Sequence, residues 1–275
     1  MSELEASHRE RPLVTTELRI PVLMYHRVGT AHNAWESKYC VSPEIFRHQM
    51  QRLQRAGYSA VSIEKFVAWL ENGELLPPRA FVLTFDDGFK GVYDFAYPVL
   101  RQLAWPATVF LVADLIGQED LWCRSSNPSG ATYPLMDEDQ IKEMRESGFS
   151  FHSHSRSHAS LRTLDDRQLM DEISGSRASL QQLLQSSIDF FAYPFGHLDQ
   201  RVIDETMKAG YRAAFCTQPG FNRRDVDRFR IRRLDIFGTD SPAMVLRKIR
   251  LGTNDGSALQ TILYYVSRTF ARFRH

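Results

Sequence analysis

Four short apolar runs in this chain each end abruptly in a polar cluster. "VLMY" leads into His26, "VLTF" into Asp86-Asp87-Gly88, "FSF" into "HSHSRSH", and "FFA" into Tyr193-Pro194-Phe195-Gly196. Runs of this length without polar alternation read as strands buried on both faces, the pattern of a parallel sheet covered by helices. Helical patterns separate them. Ser42 can cap a helix that begins at Pro43, "IEKFVAWLENG" stops near Gly73, and Asp137 with Gln140 has capping-box spacing. Further helices are expected over 163–184, 198–210, 241–250 and 258–274. Further strands are expected over 107–113, 211–216 and 229–237, the last being "FRIRRLDIF". Six to eight strand–helix units favour a single β/α barrel over an open sheet, and in a barrel the C-terminal strand ends carry the site. The turn-rich stretch 116–136 has no period and reads as a long loop on that same face.

Composition bounds the rest. A chain of 275 residues, 43% hydrophobic, can bury a substantial core without staples. Cys40, Cys123 and Cys216 are scattered and odd in number, which argues against a disulfide framework or a thiolate zinc site and fits a reducing compartment. The polar stretch 1–20 has no apolar signal core, and no run has the length of a membrane span, so a cytoplasmic location is expected. We divide the chain into a flexible arm (1–18), a catalytic barrel (19–257) and a basic amphipathic helix (258–275). From Phe221 onward, eleven arginines and Lys248 face five aspartates, so this end carries an excess of seven positive charges. A solvated arginine face is favoured there, with phosphate or anionic-membrane contact as the sharper alternative. For the last helix, packing on the barrel is favoured over peripheral contact at the inner face of the cytoplasmic membrane.

The chemistry-bearing residues are three histidines within seven positions and two adjacent aspartates. His152 and His154 share a face if the chain is a strand; His154 and His158 face each other if it turns helical. "TFDDG" alone is most often a turn, but directly after a buried strand the two carboxylates can serve different tasks, one on a metal and one holding a proton. Two imidazoles and a carboxylate suit Zn²⁺ or a similar divalent ion acting as a Lewis acid.

These residues resemble the polysaccharide deacetylases with the NodB-homology domain, carbohydrate esterase family 4. "TFDDG" looks like that family's first motif, "HSRSH" its second and "YPFG" its third, over roughly Ile20 to Leu251. The resemblance implies a distorted, incomplete β/α barrel that removes the N-acetyl group from an N-acetylated sugar and releases acetate. It implies metal binding by Asp87, His154 and His158, with Zn²⁺ the default and Co²⁺, Ni²⁺ or Mn²⁺ acceptable. Asp86 matches the catalytic base, and the Phe195 amide matches the oxyanion donor. His152 falls where the family often has a small residue, and we read it as packing.

Two departures shape the expectation. The arginine of the third motif is absent, since Ala192 and Tyr193 stand in its region. Arg232 or Arg233 must orient Asp86, and Arg233 is favoured by an Arg-x-x-Ile pattern similar to one branch of the family. The late Leu-x-His motif is also missing. "PVLMYHRV" resembles the branch containing the poly-N-acetylglucosamine deacetylases, in which an early Met-Tyr-His supplies the general acid, here His26. Trp122, Tyr133 and Tyr193 are candidates to stack on a sugar, Trp122 foremost. The expected partner is an N-acetylated glycan, with no nucleic acid; the sequence specifies no oligomeric state. A cyclic amide or imide hydrolase and a non-catalytic glycan-binding barrel are the alternatives.

Overall fold

A computed structural model describes residues 18–257 and 259. The arm assigned to 1–18 therefore lies, apart from Leu18, outside the described residues, as does the helix assigned to 258–275 apart from Leu259. The strands are β1 (Val22–Tyr25), β2 (Arg27–Val28), β3 (Cys40–Val41), β4 (Ser59–Ala60) and β5 (Ala80–Phe85), followed by β6 (Thr108–Leu111), β7 (Ser150–Ser153), β8 (Phe190–Ala192), β9 (Ala213–Phe215) and β10 (Leu234–Asp235). The helices are α1 (Glu36–Tyr39), α2 (Pro43–Arg55), α3 (Ile63–Asn72), α4 (Tyr97–Gln102) and α5 (Glu138–Glu146), then α6 (Asp166–Met170), α7 (Ser176–Leu184), α8 (Gln200–Lys208) and α9 (Pro242–Leu251).

The main sheet has the order β10-β1-β5-β6-β7-β8-β9, all parallel, with β4 pairing beside the start of β5. One isolated parallel bridge, Phe215 to Ile231, links β9 to the chain entering β10. The sheet thus curls into an incomplete barrel.

Period-two alternation sorts the side chains. Leu23, Tyr25, Phe81, Leu83, Phe85, Val109 and Leu111 point outward into a layer shared with helices such as α2, whose Phe46, Met50 and Leu53 are fully buried. Val22, Val82, Phe110, Phe190, Ala192 and Phe215 point inward and pack with Ile63, Phe66 and Val67 of α3. Above this apolar floor the inward positions turn polar, through Thr84 and Asp86 on one strand and His154 on another. The polar clusters at the strand ends therefore share one rim.

The helix starts follow their caps. The Ser42 hydroxyl accepts from the Ile45 amide, and Asp137 and Gln140 complete a reciprocal capping box. Two elements differ from the expectation. The strand read over 229–237 is reduced to Leu234–Asp235 and the Ile231 bridge. At Arg232 the Asn222 side chain takes both backbone groups, accepting from Arg232 N (2.9 Å) and donating to Arg232 O (2.9 Å), so no neighbouring strand can pair there. The helix read over 163–184 is broken by a wider π turn at Asp171–Gly175. No helix among the described residues is long and apolar enough to cross a membrane.

Candidate active site

Asp86 and Asp87 follow β5 at the rim, and their side chains diverge because Asp87 adopts a left-handed backbone (φ 74°) ahead of Gly88 (φ 81°). Asp86 continues the inward face of β5. Arg233 grips it in a fork: Nη1 donates to Oδ1 at 2.6 Å and Nη2 to Oδ2 at 2.7 Å. The Arg233 side chain is wholly buried, and its Nε donates to the Cys216 carbonyl (3.0 Å). Arg232 is exposed and its backbone is tied to Asn222. Burial opposes ionisation of Asp86, but the charge of Arg233, followed by that of His154, outweighs it and holds the carboxyl below its ordinary range.

Asp87 turns to the two histidines. Its Oδ1 lies 3.4 Å from His154 Nε2 and 3.2 Å from His158 Nε2. One donor atom from each of the three residues lies within 4.8 Å of the others, and all three side chains are buried. The helical route to the His154–His158 pairing is not taken. The chain instead turns through Ser155 (φ 67°) and His158 (φ 63°), and the Ser155 hydroxyl accepts from the His158 amide (3.1 Å). His154 Nδ1 meets the Ala192 carbonyl at 2.8 Å, which directs Nε2 at Asp87 as a metal-ligating imidazole requires. Burial works against charge on both rings; Asp86 and Asp87 outweigh it at His154, whose pKa rises, whereas burial prevails at His158, whose pKa falls.

Asp87 Oδ1 is buried without a hydrogen-bond partner among the described residues. An orphan carboxylate oxygen facing two imidazole nitrogens fits a divalent cation. His152 stands apart from this group. Its ring lies two residues deeper, against Phe110 and Phe190, with Nδ1 accepting from the Asp189 amide (3.3 Å).

A cavity of about 450 Å³ opens over the cluster. His26, at the end of β1, lies on its wall beside Tyr39 (ring centroids 5.3 Å apart). Phe195 sits in a left-handed turn (φ 59°), with its half-exposed ring edge-on to His158 at 4.5 Å. Four of the seven non-glycine residues with positive φ among those described are therefore Asp87, Ser155, His158 and Phe195. Backbone strain of this kind gathers where side chains must be aimed rather than merely packed.

Trp122, Tyr133 and Tyr193 all line the cavity, with different freedom to meet a ligand. Tyr193 is fully buried, packs on Phe191 and donates its hydroxyl to the Phe229 carbonyl (3.1 Å), so its ring offers no open face to a sugar. Trp122 lays its indole on His158 (4.5 Å, 18° between planes), leaving only its remaining surface to the cavity. Tyr133 stacks on the Arg27 guanidinium (3.4 Å). Trp35, Tyr39 and Phe237 also line the cavity, although sequence reasoning did not select them. For Trp35 and Tyr39 the signal was available as an i, i+4 aromatic pair.

The loop 116–136 is folded rather than irregular. It doubles back through the Glu119–Pro134 bridge and is tied to the segment after β5 by the Phe89–Leu135 bridge, and the Asp120 carboxylate accepts from the Tyr133 amide (2.5 Å). Its inner end is fastened to the 27–37 segment. Asn127 donates to Glu36 (3.0 Å) and accepts from Asn33 (2.9 Å), while Glu36 pairs with Arg27 at 2.9 Å. Burial opposes the Glu36 charge, but these bonds, led by the His32 amide, bring its pKa down to about 2. Asp235 on β10 is a further cavity carboxylate that sequence reasoning did not select; it accepts from Asn254 (2.6 Å). Burial raises its pKa against several nearby positive groups, of which His26 acts most strongly.

The fold has counterparts among solved structures. The chain overlays on a Streptococcus pyogenes deacetylase solved with acetate, with a TM-score of 0.73 and 24% identity over 85% of this chain and 99% of that one. A Bacillus cereus polysaccharide deacetylase gives 0.70 and 28% over 85% and 69%. The Staphylococcus epidermidis poly-beta-1,6-N-acetyl-D-glucosamine N-deacetylase is 27% identical over 71% of this chain and 68% of its own length. Residues 74–214, about half the chain, match the family model for polysaccharide deacetylases. The chain belongs to the polysaccharide deacetylase family.

Proposed function

We propose that this protein is a metal-dependent N-deacetylase acting on a glycan of the N-acetylglucosamine type. The observation that carries the proposal is the division of labour between adjacent carboxylates: Asp86 is locked to Arg233, while Asp87 faces His154 and His158. Asp87, His154 and His158 would hold the metal, and two imidazoles with one carboxylate favour zinc. When bound, such an ion supplies the Lewis acidity that makes water a nucleophile near neutral pH.

The protein's own groups account for the remaining steps. Asp86, kept ionised by Arg233, takes the proton of the attacking water. The Phe195 amide, at the rim of the same cavity, donates to the acetamide oxygen as negative charge develops on it. His26 gives a proton to the sugar nitrogen as the carbon–nitrogen bond breaks, because an unprotonated amide nitrogen is a very poor leaving group. Acetate and a free amine result. The substrate class draws support from the Staphylococcus epidermidis relative, whose name specifies N-acetyl-D-glucosamine.

Paired substitutions test the division of labour. Asp86→Asn should lower kcat by about two orders of magnitude or more while metal content stays at the wild-type level. Asp87→Asn should lose the metal itself. The opposite pattern in metal analysis would mean that the two aspartates exchange roles.

A further inference from the structure

Five carboxylates line the cavity. Asp86 pairs with Arg233, Asp87 faces two imidazoles, Glu36 pairs with Arg27, and Asp235 makes no ion pair but accepts from the Asn254 amide. Asp120 is the fifth. It is 2% exposed, yet it makes no ion pair among the described residues. Its hydrogen bonds are to the Tyr133 amide and the Cys123 thiol. It also stands outside the three-residue metal cluster. Burial, with a smaller contribution from the Asp87 charge, pushes its pKa up to about 6.

Asp120 feels only the more distant charge of Arg27, and a buried carboxylate without a close ion pair weakens the fold unless something else uses it. The ligand that the cavity is proposed to hold brings hydroxyl donors on the ring that carries the acetamide. The surrounding wall is aromatic, through Trp122 and Phe195, and suits the carbon–hydrogen faces of a pyranose. Resting on the deacetylase reading, we infer that Asp120 is a substrate-positioning residue that accepts a hydrogen bond from a hydroxyl of the acetylated sugar ring. It acts from the folded loop rather than from the barrel rim, so it selects the sugar without taking part in proton transfer.

Asp120→Asn is the informative change, because the amide oxygen can still accept from Tyr133 and the loop anchor is kept. Two probes are compared by their chelator-sensitive rates: N-acetylglucosamine oligomers, which carry ring hydroxyls, and 4-nitrophenyl acetate, which carries none. The variant should lower the ratio of kcat/KM for oligomer to kcat/KM for ester by about ten-fold or more, chiefly through a higher KM for the oligomer. An equal fall on both probes would show that Asp120 only holds the loop, and unchanged rates on both would show that it touches no hydroxyl; either overturns the inference. Wild-type protein that cleaves the ester but releases no acetate from oligomers would overturn the deacetylase reading and the inference with it.

Discussion

Arg233 is the residue on which the site's electrostatics turn. Its side chain is fully buried, and it holds Asp86, the carboxylate proposed to accept the proton. Removing one member of a buried pair costs about 3–5 kcal/mol because the other charge is stranded. Arg233→Gln should therefore lower stability by about that amount in denaturant titration, and should abolish acetate release even at temperatures where the variant is folded. Asp120 predicts the opposite sign. Its folded-state pKa, about 6, lies above the ordinary value of 3.8, so its burden is absent when folded and unfolded chains are both protonated, below about pH 4. The burden is complete above about pH 6. Asp120→Asn should raise the melting temperature of the metal-free protein at pH 8, with the gain shrinking toward pH 4. An equal shift at both pH values would contradict this sign. The motif residues Asp86, Asp87, His154 and His158 were legible through their resemblance to the family's motifs, since spacing alone left open whether His152 or His158 pairs with His154. Asp120 was not, since a loop without period gives no sign of which side chain points inward.

Among the elements, the folded loop over 116–136 contributes most beyond the barrel itself. Asn127 is its fastening, with its amide shared among Glu36, Asn33 and the Ala131 carbonyl. Asn127→Ala should cost about 1–3 kcal/mol by leaving the buried Glu36 short of a donor. Limited proteolysis should then cut between 116 and 136 earlier than in wild type; an unchanged cleavage pattern would mean that the bridges at Glu119 and Phe89 suffice. Helix starts were legible because capping is local: Ser42 and Asp137 cap where their spacing indicated. The last strand was misread because "FRIRRLDIF" alternates well enough, whereas its pairing is interrupted by Asn222, which is ten residues away from Arg232. Trp35 and Tyr39 were overlooked despite their i, i+4 spacing because helix α1 has only four residues and no period surrounds the pair.

At the scale of the whole molecule, the curled parallel sheet gathers clusters far apart in sequence onto one rim, and this was legible from the polar ends of the apolar runs. The excess of arginines after Phe221 is partly taken up within the fold. Arg228 joins Arg212 on Glu71, Arg230 pairs with Asp227, and Arg233 is committed to Asp86. Metal bound at the proposed site of the folded rim and not to the unfolded chain would stabilise the whole barrel by mass action, by about 2.7 kcal/mol at a hundred times its dissociation constant. The most direct test of the proposed function is acetate release from β-1,4- and β-1,6-linked N-acetylglucosamine oligomers by zinc- or cobalt-loaded protein, with and without a chelator. Release that the chelator abolishes and added metal restores is expected. No release from any oligomer, by protein shown to carry its metal, would contradict the deacetylase reading.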